Sequence, residues 1–439
     1  MTRALAARTG LALYRLAGRL GAPLVRRHLA RRCQRGREDA ARLGERFGTA
    51  GVARPAGPLI WLHAASVGES LSALPLLERI RGRWPDLAIL MTSGTVTSAR
   101  LMAERLPAGV IHQYIPVDLA PAVRRFLAHW QPSLGLLVES ELWPNLLLEA
   151  RQGRCELLLI NGRMSAASTR SWGRFPPAIR LLLGQFAEIF AQSPEDLAHF
   201  QTLGAERARC LGNLKFAAPP LRADADELER FTALLQGRPL WLAASTHPGE
   251  EAIAGKVHQA LRARFPDLLT LIAPRHPDRG PAIADELSAA GLRIALRSRG
   301  ESPGAETDAY VADSIGELGL WYRLAPAVFV GGSLVPKGGQ NPLEPARLGR
   351  AILFGPHSSN FVRVCQEMTA AGAMRRVADG NELAEAVAGL LRDAAERERL
   401  GEAAKRYADV EAGVLDELVT ALSPYLDQVS GESANKAKR

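Results

Sequence analysis

The feature that most constrains the fold of this chain is a regular alternation of short apolar segments with longer amphipathic segments, which begins near residue 58. The apolar segments predict strands, which in the first half cover residues 59–64, 87–92, 110–115, 134–138, 156–160, 188–191 and 209–211. Helical patterns lie between them, among others at residues 70–83, 97–105, 120–129 and 144–151. Short apolar strands that alternate with helices are typical of a parallel sheet with helices on both faces.

The alternation is interrupted once and then resumes. A stretch rich in alanine and proline that starts at residue 217 predicts a linker, and further strands are predicted at residues 240–244, 268–273, 293–296, 309–312, 327–330 and 352–354. We therefore predict an α/β protein with two doubly wound, Rossmann-like domains that face a central cleft, where ligands bind beyond the carboxyl ends of the strands. The predicted parts are an arm at 1–46, a domain at 47–216, a linker at 217–226, a second domain with C-terminal helices at 227–426 and a polar tail at 427–439.

The N-terminal arm carries the net charge of the chain. Residues 1–46 contain twelve arginines and three acidic residues, a charge of +9 that equals the formal charge of all 439 residues. Leucines interleave with these arginines, but uncharged runs such as residues 20–25 are far shorter than the roughly 20 residues that span a bilayer. We predict a basic amphipathic helix on an anionic membrane surface, with a solvated helix and a tilted anchor as alternatives. Nucleic-acid binding is disfavoured, because Tyr14 is the only aromatic residue of the arm.

Cysteine spacing and missing motifs exclude several classes of protein. The four cysteines are far apart and form no CxxC motif, which argues against a zinc site or a disulfide framework and favours a reducing cytoplasm. No GxxxxGK[ST] or HExxH motif occurs, so P-loop and zinc-protease chemistry are unsupported. An Asp-Ala-Asp sequence begins at Asp224, but it lies in the predicted linker, and we interpret it as solvated rather than metal-binding.

A Gly-rich loop at residues 331–344 follows the predicted strand at 327–330 and opens a helix. Asn341 is expected to cap that helix, Pro342 to occupy its first turn and Glu344 to stand in the capping-box position. The backbone N–H groups of such a loop, next to a helix N-terminus, can bind a phosphate. The alternative is a loop that only turns the chain and starts a helix.

Three carboxylates follow predicted strands of the first half. Glu69 lies at a helix start after the strand at 59–64, where it can act as a general base or simply complement the helix dipole. Glu139 and Glu141 follow the strand at 134–138, and buried carboxylates are costly unless they are paired or used. Capping of the next helix is the alternative for Glu141.

Basic side chains lie where they could contact a phosphate. Lys215 precedes the predicted linker, where it can reach a donor phosphate or remain an ordinary surface lysine. Arg275 and His276 follow another predicted strand, and their side chains suit a phosphate or a base. Polar clusters follow two more strands, at residues 245–251 and 313–318. Together these strand ends predict a nucleotide site in the second half of the chain.

These segments together resemble the Kdo transferases of lipopolysaccharide assembly, which move 3-deoxy-D-manno-octulosonic acid (Kdo) from CMP-Kdo onto a lipid A precursor. The motifs that carry the resemblance are His-Ala-Ala-Ser-Val-Gly-Glu at residues 63–69, Glu-Ser-Glu-Leu-Trp-Pro-Asn at 139–145, Gly-Asn-Leu-Lys-Phe at 212–216, Ser-Thr-His at 245–247, Pro-Arg-His-Pro at 274–277, Gly-Glu-Leu at 316–318 and the loop at 331–344. Each motif is weak by itself, but their order and spacing are specific and cover nearly the whole chain.

The resemblance implies a GT-B glycosyltransferase fold, an inverting reaction without metal or other cofactor, and a location on the cytoplasmic face of a Gram-negative inner membrane. It implies that Glu69 is the base that deprotonates the acceptor hydroxyl, and that Glu139 and Lys215 assist the transition state. The residues implied to hold the CMP moiety are Arg275, His276, Gly316, Glu317, Leu318, Asn341, Pro342, Leu343 and Glu344. The implied partners are CMP-Kdo, a lipid A precursor such as lipid IVA, and an anionic membrane surface.

Two positions depart from the family pattern. Ala217 stands where an Asp usually follows the Lys-Phe pair, and Gln340 replaces a frequent His before Asn341. A second hypothesis keeps the fold but assigns another sugar-nucleotide transferase, or an epimerase, with a soluble substrate. A third is a non-enzymatic protein that docks on membrane or nucleic acid. The sequence leaves open the number of Kdo residues transferred, the acyl pattern of the acceptor and the oligomeric state.

Overall fold

A computed structural model describes residues 2–216, 220–235 and 237–437, with side chains described between residues 9 and 431 of these ranges. The chain divides into two compact units: unit 1 comprises Met1–Ala218 and Glu411–Arg439, and unit 2 comprises Pro219–Val410. Residues 217–219 of the predicted linker, which include Ala217, lie outside the described residues. The linker is shorter than predicted, because a helix already begins at residue 225.

Unit 1 is built on a parallel sheet, in which the described residues form seven strands. The strands are β1 (Leu59–His63), β2 (Ala88–Ser93), β3 (Val110–Tyr114), β4 (Leu134–Val138), β5 (Glu156–Gly162), β6 (Glu188–Ala191) and β7 (Ala208–Cys210). Their order across the sheet is β3-β2-β1-β4-β5-β6-β7. The order reverses between β1 and β4, and in folds of this kind ligands bind at the carboxyl end of such a switch point.

Helices precede and connect these strands. They are α1 (Thr2–Gln34), α2 (Val67–Arg83), α3 (Val96–Arg105), α4 (Ala120–Trp130), α5 (Pro144–Gln152), α6 (Ala166–Trp172), α7 (Pro176–Leu183) and α8 (Pro194–Thr202). The burial of the β1 side chains explains why this strand is apolar from Leu59 to Leu62. Ile60 and Leu62 belong to one core cluster, whereas Leu59 and Trp61 belong to another. Because successive side chains of a strand point to opposite faces, both faces of the sheet are buried.

Unit 2 repeats this architecture. Its strands are β8 (Leu240–Thr246), β9 (Leu269–Pro274), β10 (Ile294–Leu296), β11 (Ala309–Val311), β12 (Ala327–Val330), β13 (Ala351–Phe354) and β14 (Arg375–Arg376). Its helices are α9 (Ala225–Leu234), α10 (Glu250–Leu261), α11 (Gly280–Ala289), α12 (Leu318–Leu324), α13 (Leu343–Ala346), α14 (Val362–Ala370) and α15 (Gly380–Arg392). The strand order β10-β11-β9-β8-β12-β13-β14 reverses between β8 and β12, which gives unit 2 its own switch point.

The strands lie within two residues of their predicted bounds, except β14, which the sequence does not predict. Two arginines at the edge of a sheet offer no apolar pattern, so this short strand becomes visible only through its pairing with β13. The Asp-Ala-Asp sequence also has a structural role. Asp224 caps α9, and its carboxylate accepts the Glu227 N–H at 3.0 Å.

The C-terminal boundary differs from the prediction. The polar tail expected at residues 427–439 is instead helical as far as residue 437, in α16 (Ala394–Ala437), and the chain from Glu411 onward belongs to unit 1. The leucines that bury this part of α16 in a core cluster of unit 1 are Leu415, Leu418, Leu422 and Leu426. Trp84 also donates its indole N–H to Asp427 at 2.7 Å. The apolar stripe of α16 therefore packs as part of the N-terminal unit, although it follows the C-terminal one in sequence.

The N-terminal arm forms α1, which packs on unit 1. Arg15 donates to Glu149 of α5 at 2.8 Å, and the Tyr14 hydroxyl donates to Asp118 at 2.9 Å. Leucines Leu13, Leu16, Leu20 and Leu24 of this helix are between 51% and 73% exposed. Within the described part of the chain, no helix has both the length and the apolar character needed to cross a membrane.

Candidate active site

Glu69 lies in the first turn of α2, just beyond the carboxyl end of β1 and hence at the switch point of unit 1. Ser66 caps the helix: its oxygen accepts the Glu69 N–H at 3.3 Å, and its O–H donates to Glu69 Oε1 at 2.6 Å. Glu69 Oε2 accepts the Ala65 N–H at 2.8 Å. The carboxylate thus binds the side chain of the N-cap and the backbone N–H of the residue before it, and each of its oxygens keeps a lone pair for a further donor.

Glu139 and Lys215 form an ion pair at the neighbouring strand end. Glu139 follows β4, which pairs with β1, and its left-handed φ of 64° is an unfavourable conformation for a residue other than glycine. Lys215 donates from Nζ to Glu139 Oε1 at 2.6 Å. The lysine side chain is 39% exposed and the carboxylate side chain 11%. Lys215 therefore has N–H donors left for an incoming anion.

A third carboxylate, Glu141, is bound to the last residue of β1. His63 Nε2 lies 3.1 Å from Glu141 Oε2, and the Trp143 indole N–H donates to the same oxygen. Burial favours the neutral acid, but the hydrogen bond and charge of His63, with the bond from Trp143, hold the pKa of Glu141 below its ordinary value. The capping alternative for Glu141 is wrong, because α5 has no hydrogen bond from its capping side chain and Glu141 is held by His63 instead.

In unit 2, the Gly-rich loop after β12 binds an anion that belongs to the protein itself. Glu250, 1% exposed at the start of α10, accepts the backbone N–H groups of Gly332 at 2.6 Å, Ser333 at 3.1 Å and Leu334 at 3.0 Å. It also accepts the His247 N–H at 2.9 Å. The prediction that this first part of the loop binds a phosphate is therefore wrong, because a buried carboxylate already occupies those donors.

The second part of the loop starts α13, but the predicted cap is wrong: Pro342 rather than Asn341 is the N-cap, the helix begins at Leu343, and Glu344 stands one position before that of a capping box. Asn341 Oδ1 accepts the Leu343 N–H at 3.1 Å, and Pro342 and Leu343 are buried. The Tyr322 hydroxyl lies 3.4 Å from Glu344 Oε2. Burial, opposed mainly by Arg347, raises the pKa of Glu344 above its ordinary value. Its carboxyl oxygens can accept hydrogen bonds from sugar hydroxyls.

A cavity of about 350 Å³ lies at the carboxyl ends of β8, β9 and β11. The predicted site residues among its lining are Arg275, His276, Gly316 and Leu318. Its volume is within the range of small-molecule sites, which begins at about 300 Å³. The backbone N–H of Arg275 donates to the Thr246 carbonyl at 3.0 Å, but its guanidinium makes no hydrogen bond or ion pair with any residue that the structure describes and is available to an anion. The structure thus brings the segments at 275–276 and 316–318 together around one cavity.

Glu317 orders the loop between β11 and α12. Arg297 donates to its two oxygens at 3.0 and 2.6 Å, and the same guanidinium donates to Glu227 of α9 at 2.6 Å. The hydrogen bond from Arg297, opposed by burial, lowers the pKa of Glu317. The carboxylate of this predicted site residue is therefore engaged within unit 2, where it holds the backbone of residues 316–318 in place.

The departure at Gln340 has a structural consequence. The Gln340 amide donates to His247 Nε2 at 3.0 Å, which ties the loop to the end of β8. Burial, opposed by Glu250, and then the charge of His276 keep the pKa of His247 below its ordinary value. A neutral imidazole can accept this hydrogen bond.

Sequence comparison decides the family. Residues 41–218 match the family described as 3-Deoxy-D-manno-octulosonic-acid transferase (kdotransferase). The chain is 36% identical to the 3-deoxy-D-manno-octulosonic acid transferase of Rickettsia felis over 84% of this chain and 79% of that protein. It is 36% identical to the transferase of Bordetella pertussis over 95% of this chain and 100% of that protein. The chain belongs to the Kdo transferase family.

This Kdo transferase shares its fold with solved structures of much lower identity. The UDP-GlcNAc 2-epimerase of Neisseria meningitidis matches with a TM-score of 0.58 and 12% identity, over 83% of this chain and 100% of that one. A glycosyltransferase of Rickettsia africae matches with a TM-score of 0.54 and 10% identity, over 85% and 99%. These likenesses confirm the predicted GT-B fold, whereas the sequence relatives identify the Kdo transferase as a glycosyltransferase that acts on Kdo.

Sequence reasoning assigned no individual role to three residues of this Kdo transferase that shape the site: Glu250, Arg297 and His63. Glu250 opens a helix, and that position alone suggests a dipole partner. Arg297 and His63 bind carboxylates far away in the chain. Only His63 carries a signal, because a polar residue at the end of a buried apolar strand needs a partner.

Proposed function

We propose that this Kdo transferase moves Kdo from CMP-Kdo onto a hydroxyl group of a lipid A precursor such as lipid IVA. The observation that carries the proposal is that Glu69 and Glu139 follow adjacent strands at the switch point of unit 1, where Lys215 donates to Glu139. A base and a cation at one sheet edge suit transfer from a phosphate-activated sugar to an alcohol. Family membership supports Kdo as the sugar, and the resemblance in the motifs supports CMP as the donor nucleotide.

Glu69 is the proposed general base. It takes the proton of the acceptor hydroxyl while that oxygen attacks the anomeric carbon of Kdo, opposite the departing CMP. The bond from this carbon to the phosphate oxygen breaks as the new one forms, so the configuration at the anomeric carbon inverts. The bonds from Ser66 and Ala65 orient the carboxylate and leave it lone pairs for the proton.

Lys215 is the proposed partner of the leaving phosphate. Its ammonium group has three donors, of which Glu139 takes one, and the others can offset the charge that develops on CMP. Glu139 keeps the ammonium group at the switch point. In this proposal Lys215 supplies positive charge for the leaving phosphate, and the reaction requires no metal ion.

The CMP moiety is proposed to bind in unit 2, in and beside the cavity after β8, β9 and β11. Arg275 and His276 suit the phosphate, and the backbone of residues 316–318 suits the base. Asn341 and Glu344 offer an amide and a carboxyl group for ribose hydroxyls.

The protein is proposed to work at the cytoplasmic face of a Gram-negative inner membrane. Helix α1 supports this location, because exposed leucines and arginines share its surface. The apolar side chains can enter the interface while the arginines bind anionic headgroups. A lipid acceptor would then be reached without leaving the membrane.

The test of the proposed function compares Glu69→Gln with Glu69→Ala. Glutamine at this position keeps the size of the side chain and one acceptor oxygen but cannot take a proton, so kcat is expected to fall by about a hundredfold or more in both variants. CMP affinity, measured by isothermal titration, is expected to stay unchanged. Glu104→Gln, an exposed carboxylate of α3, is the matched control and is expected to keep full activity. Substantial transfer by Glu69→Gln would contradict the assigned role.

A further inference from the structure

We propose that Glu141 and Trp143 form a subsite of unit 1 that binds the acceptor sugar, the carboxylate accepting a hydroxyl and the indole packing on the ring. The inference rests on the proposed function, because it takes the acceptor to be a sugar. It adds a binding site to the base and the cation at the switch point of unit 1, in the loop that connects β4 to α5.

The first observation is an unused carboxylate oxygen. Glu141 Oε2 accepts hydrogen bonds from His63 and Trp143, whereas Oε1 has no hydrogen-bond partner among the residues that the structure describes. The Glu141 side chain is only 14% exposed. An oxygen of an ionised carboxylate at such a position lacks most of its hydration, so a donor from a ligand is favoured there.

The second observation is a buried chain of hydrogen bonds that fixes this carboxylate. The Trp61 indole can only donate, and it does so to Thr92 Oγ1 at 2.8 Å. An ionised Glu141 can only accept, so His63 Nε2 carries the ring proton and donates to it at 3.1 Å, and the Thr92 hydroxyl can donate to Nδ1 at 3.0 Å. Trp61, Thr92 and His63 are at most 1% exposed. His63 is therefore a positioning residue that orients Glu141 from the core.

The third observation is the exposed ring of Trp143. Its side chain is 47% exposed, although its N–H is held by Glu141. An indole anchored at its polar end presents a flat apolar face at low cost in side-chain entropy. A fixed carboxylate beside such a face matches the amphipathic surface of a sugar ring, which has hydroxyls at its rim and C–H groups on its faces.

Charge favours the acceptor over the donor as the sugar bound here. Kdo carries its own carboxylate beside the anomeric carbon, and an ionised Glu141 would repel it. A neutral hydroxyl of the acceptor sugar meets no such repulsion. The subsite is therefore assigned to the acceptor.

The experiment measures initial rates of the full chain with CMP-Kdo and a tetraacylated lipid A precursor, varying each substrate in turn. Trp143→Ala and Glu141→Gln are expected to raise the acceptor KM by about tenfold to a hundredfold. This is the range expected for the loss of a hydrogen bond to a charged group. The donor KM and the affinity for CMP are expected to stay the same. Glu104→Gln serves again as the control.

An unchanged acceptor KM in both variants, or an equal rise in both KM values, would overturn the subsite. Trp143→Ala alters a half-exposed side chain, so it decides the question even if Glu141→Gln fails to fold. His63→Gln is expected to move the acceptor KM in the same direction and leave the donor KM alone. If the unaltered chain transfers no Kdo at all, the proposed function fails, and that result is known before any variant is compared.

Discussion

The side chain of Glu250 fixes the conformation of the Gly-rich loop in unit 2. Four backbone N–H groups donate to its carboxylate: those of His247, Gly332, Ser333 and Leu334. These donors would otherwise be unsatisfied or open to a foreign anion. The internal carboxylate thus fixes the loop after β12 and occupies these four donors.

Removal of this carboxylate should destabilise unit 2. Glu250→Ala leaves several buried N–H groups without a partner, and we expect a loss of about 3 kcal/mol or more in the free energy of unfolding. Denaturant titration against Glu398→Ala, an exposed glutamate of α16, measures the difference. A loss no larger than that of the control would show that water replaces the carboxylate at little cost.

His112 predicts a pH dependence of the stability of unit 1. It lies on β3, with Nδ1 at 3.2 Å from Arg42 and Nε2 at 2.9 Å from Ser93 Oγ. Burial and then the charge of Arg42 lower the pKa of His112 from 6.5 to about 4. Between these values the unfolded chain binds a proton that the folded chain does not, so stability is lost as the pH falls from about 6.5 towards about 4.

The measurement is the free energy of unfolding of the unaltered chain and of His112→Gln as a function of pH. The stability difference between the two is expected to be constant above pH 7 and to change by up to about 3 kcal/mol on acidification to pH 4, because the variant lacks the titrating group. Parallel curves over this range would contradict the account of His112.

Residues at strand ends could be found from the sequence, and their partners could not. Glu69, Glu139 and Arg275 stand out because a polar residue after a buried strand is visible locally. The bond between Gly332 and Glu250 joins residues 82 positions apart, and that between Lys215 and Glu139 joins residues 76 apart. No local pattern reports such contacts, so the sequence could not show that an internal carboxylate fills the loop.

At the scale of elements, the apolar runs predicted the strands correctly. The last helix was assigned to the second domain because of its place in the sequence, but its later part packs on unit 1. A buried strand needs apolar residues on both faces, so its run is unambiguous. The later part of α16 packs on a unit that precedes it by two hundred residues of chain, and amphipathicity alone does not name the surface that a helix covers. The same holds for α1: its sequence pattern does not show which surface its exposed leucines contact.

The membrane proposal makes a prediction for α1. Leu20 and Leu24 are 73% and 70% exposed, so Leu20→Glu with Leu24→Glu should leave the thermal midpoint unchanged. Binding to vesicles that contain phosphatidylglycerol is expected to weaken by about tenfold or more, since apolar contact is lost and like charge is added. Co-sedimentation with Val410→Glu, a 76% exposed valine of α16, is the control. Undiminished binding of the double variant would count against α1 as the membrane contact.

At the scale of the whole molecule, the two units carry different chemistry on the same architecture. The switch point of unit 1 has the carboxylate of Glu69 and the Glu139–Lys215 pair, which suit proton transfer and charge compensation. The carboxyl edge of unit 2 has a cavity with Arg275 and His276, which suits an anionic nucleotide. Family membership identifies the chain as a Kdo transferase. The central proposal is that it moves Kdo from CMP-Kdo onto a lipid A precursor.

Mass spectrometry of the reaction product tests that claim most directly. The full chain is incubated with CMP-Kdo and a tetraacylated lipid A precursor, in parallel with Glu69→Gln and with a water-soluble sugar acceptor. We predict a lipid product heavier by one or more Kdo residues, formed by the unaltered chain and nearly absent with the variant. A lipid of unchanged mass, or Kdo transferred only to the soluble acceptor, would contradict the proposed function.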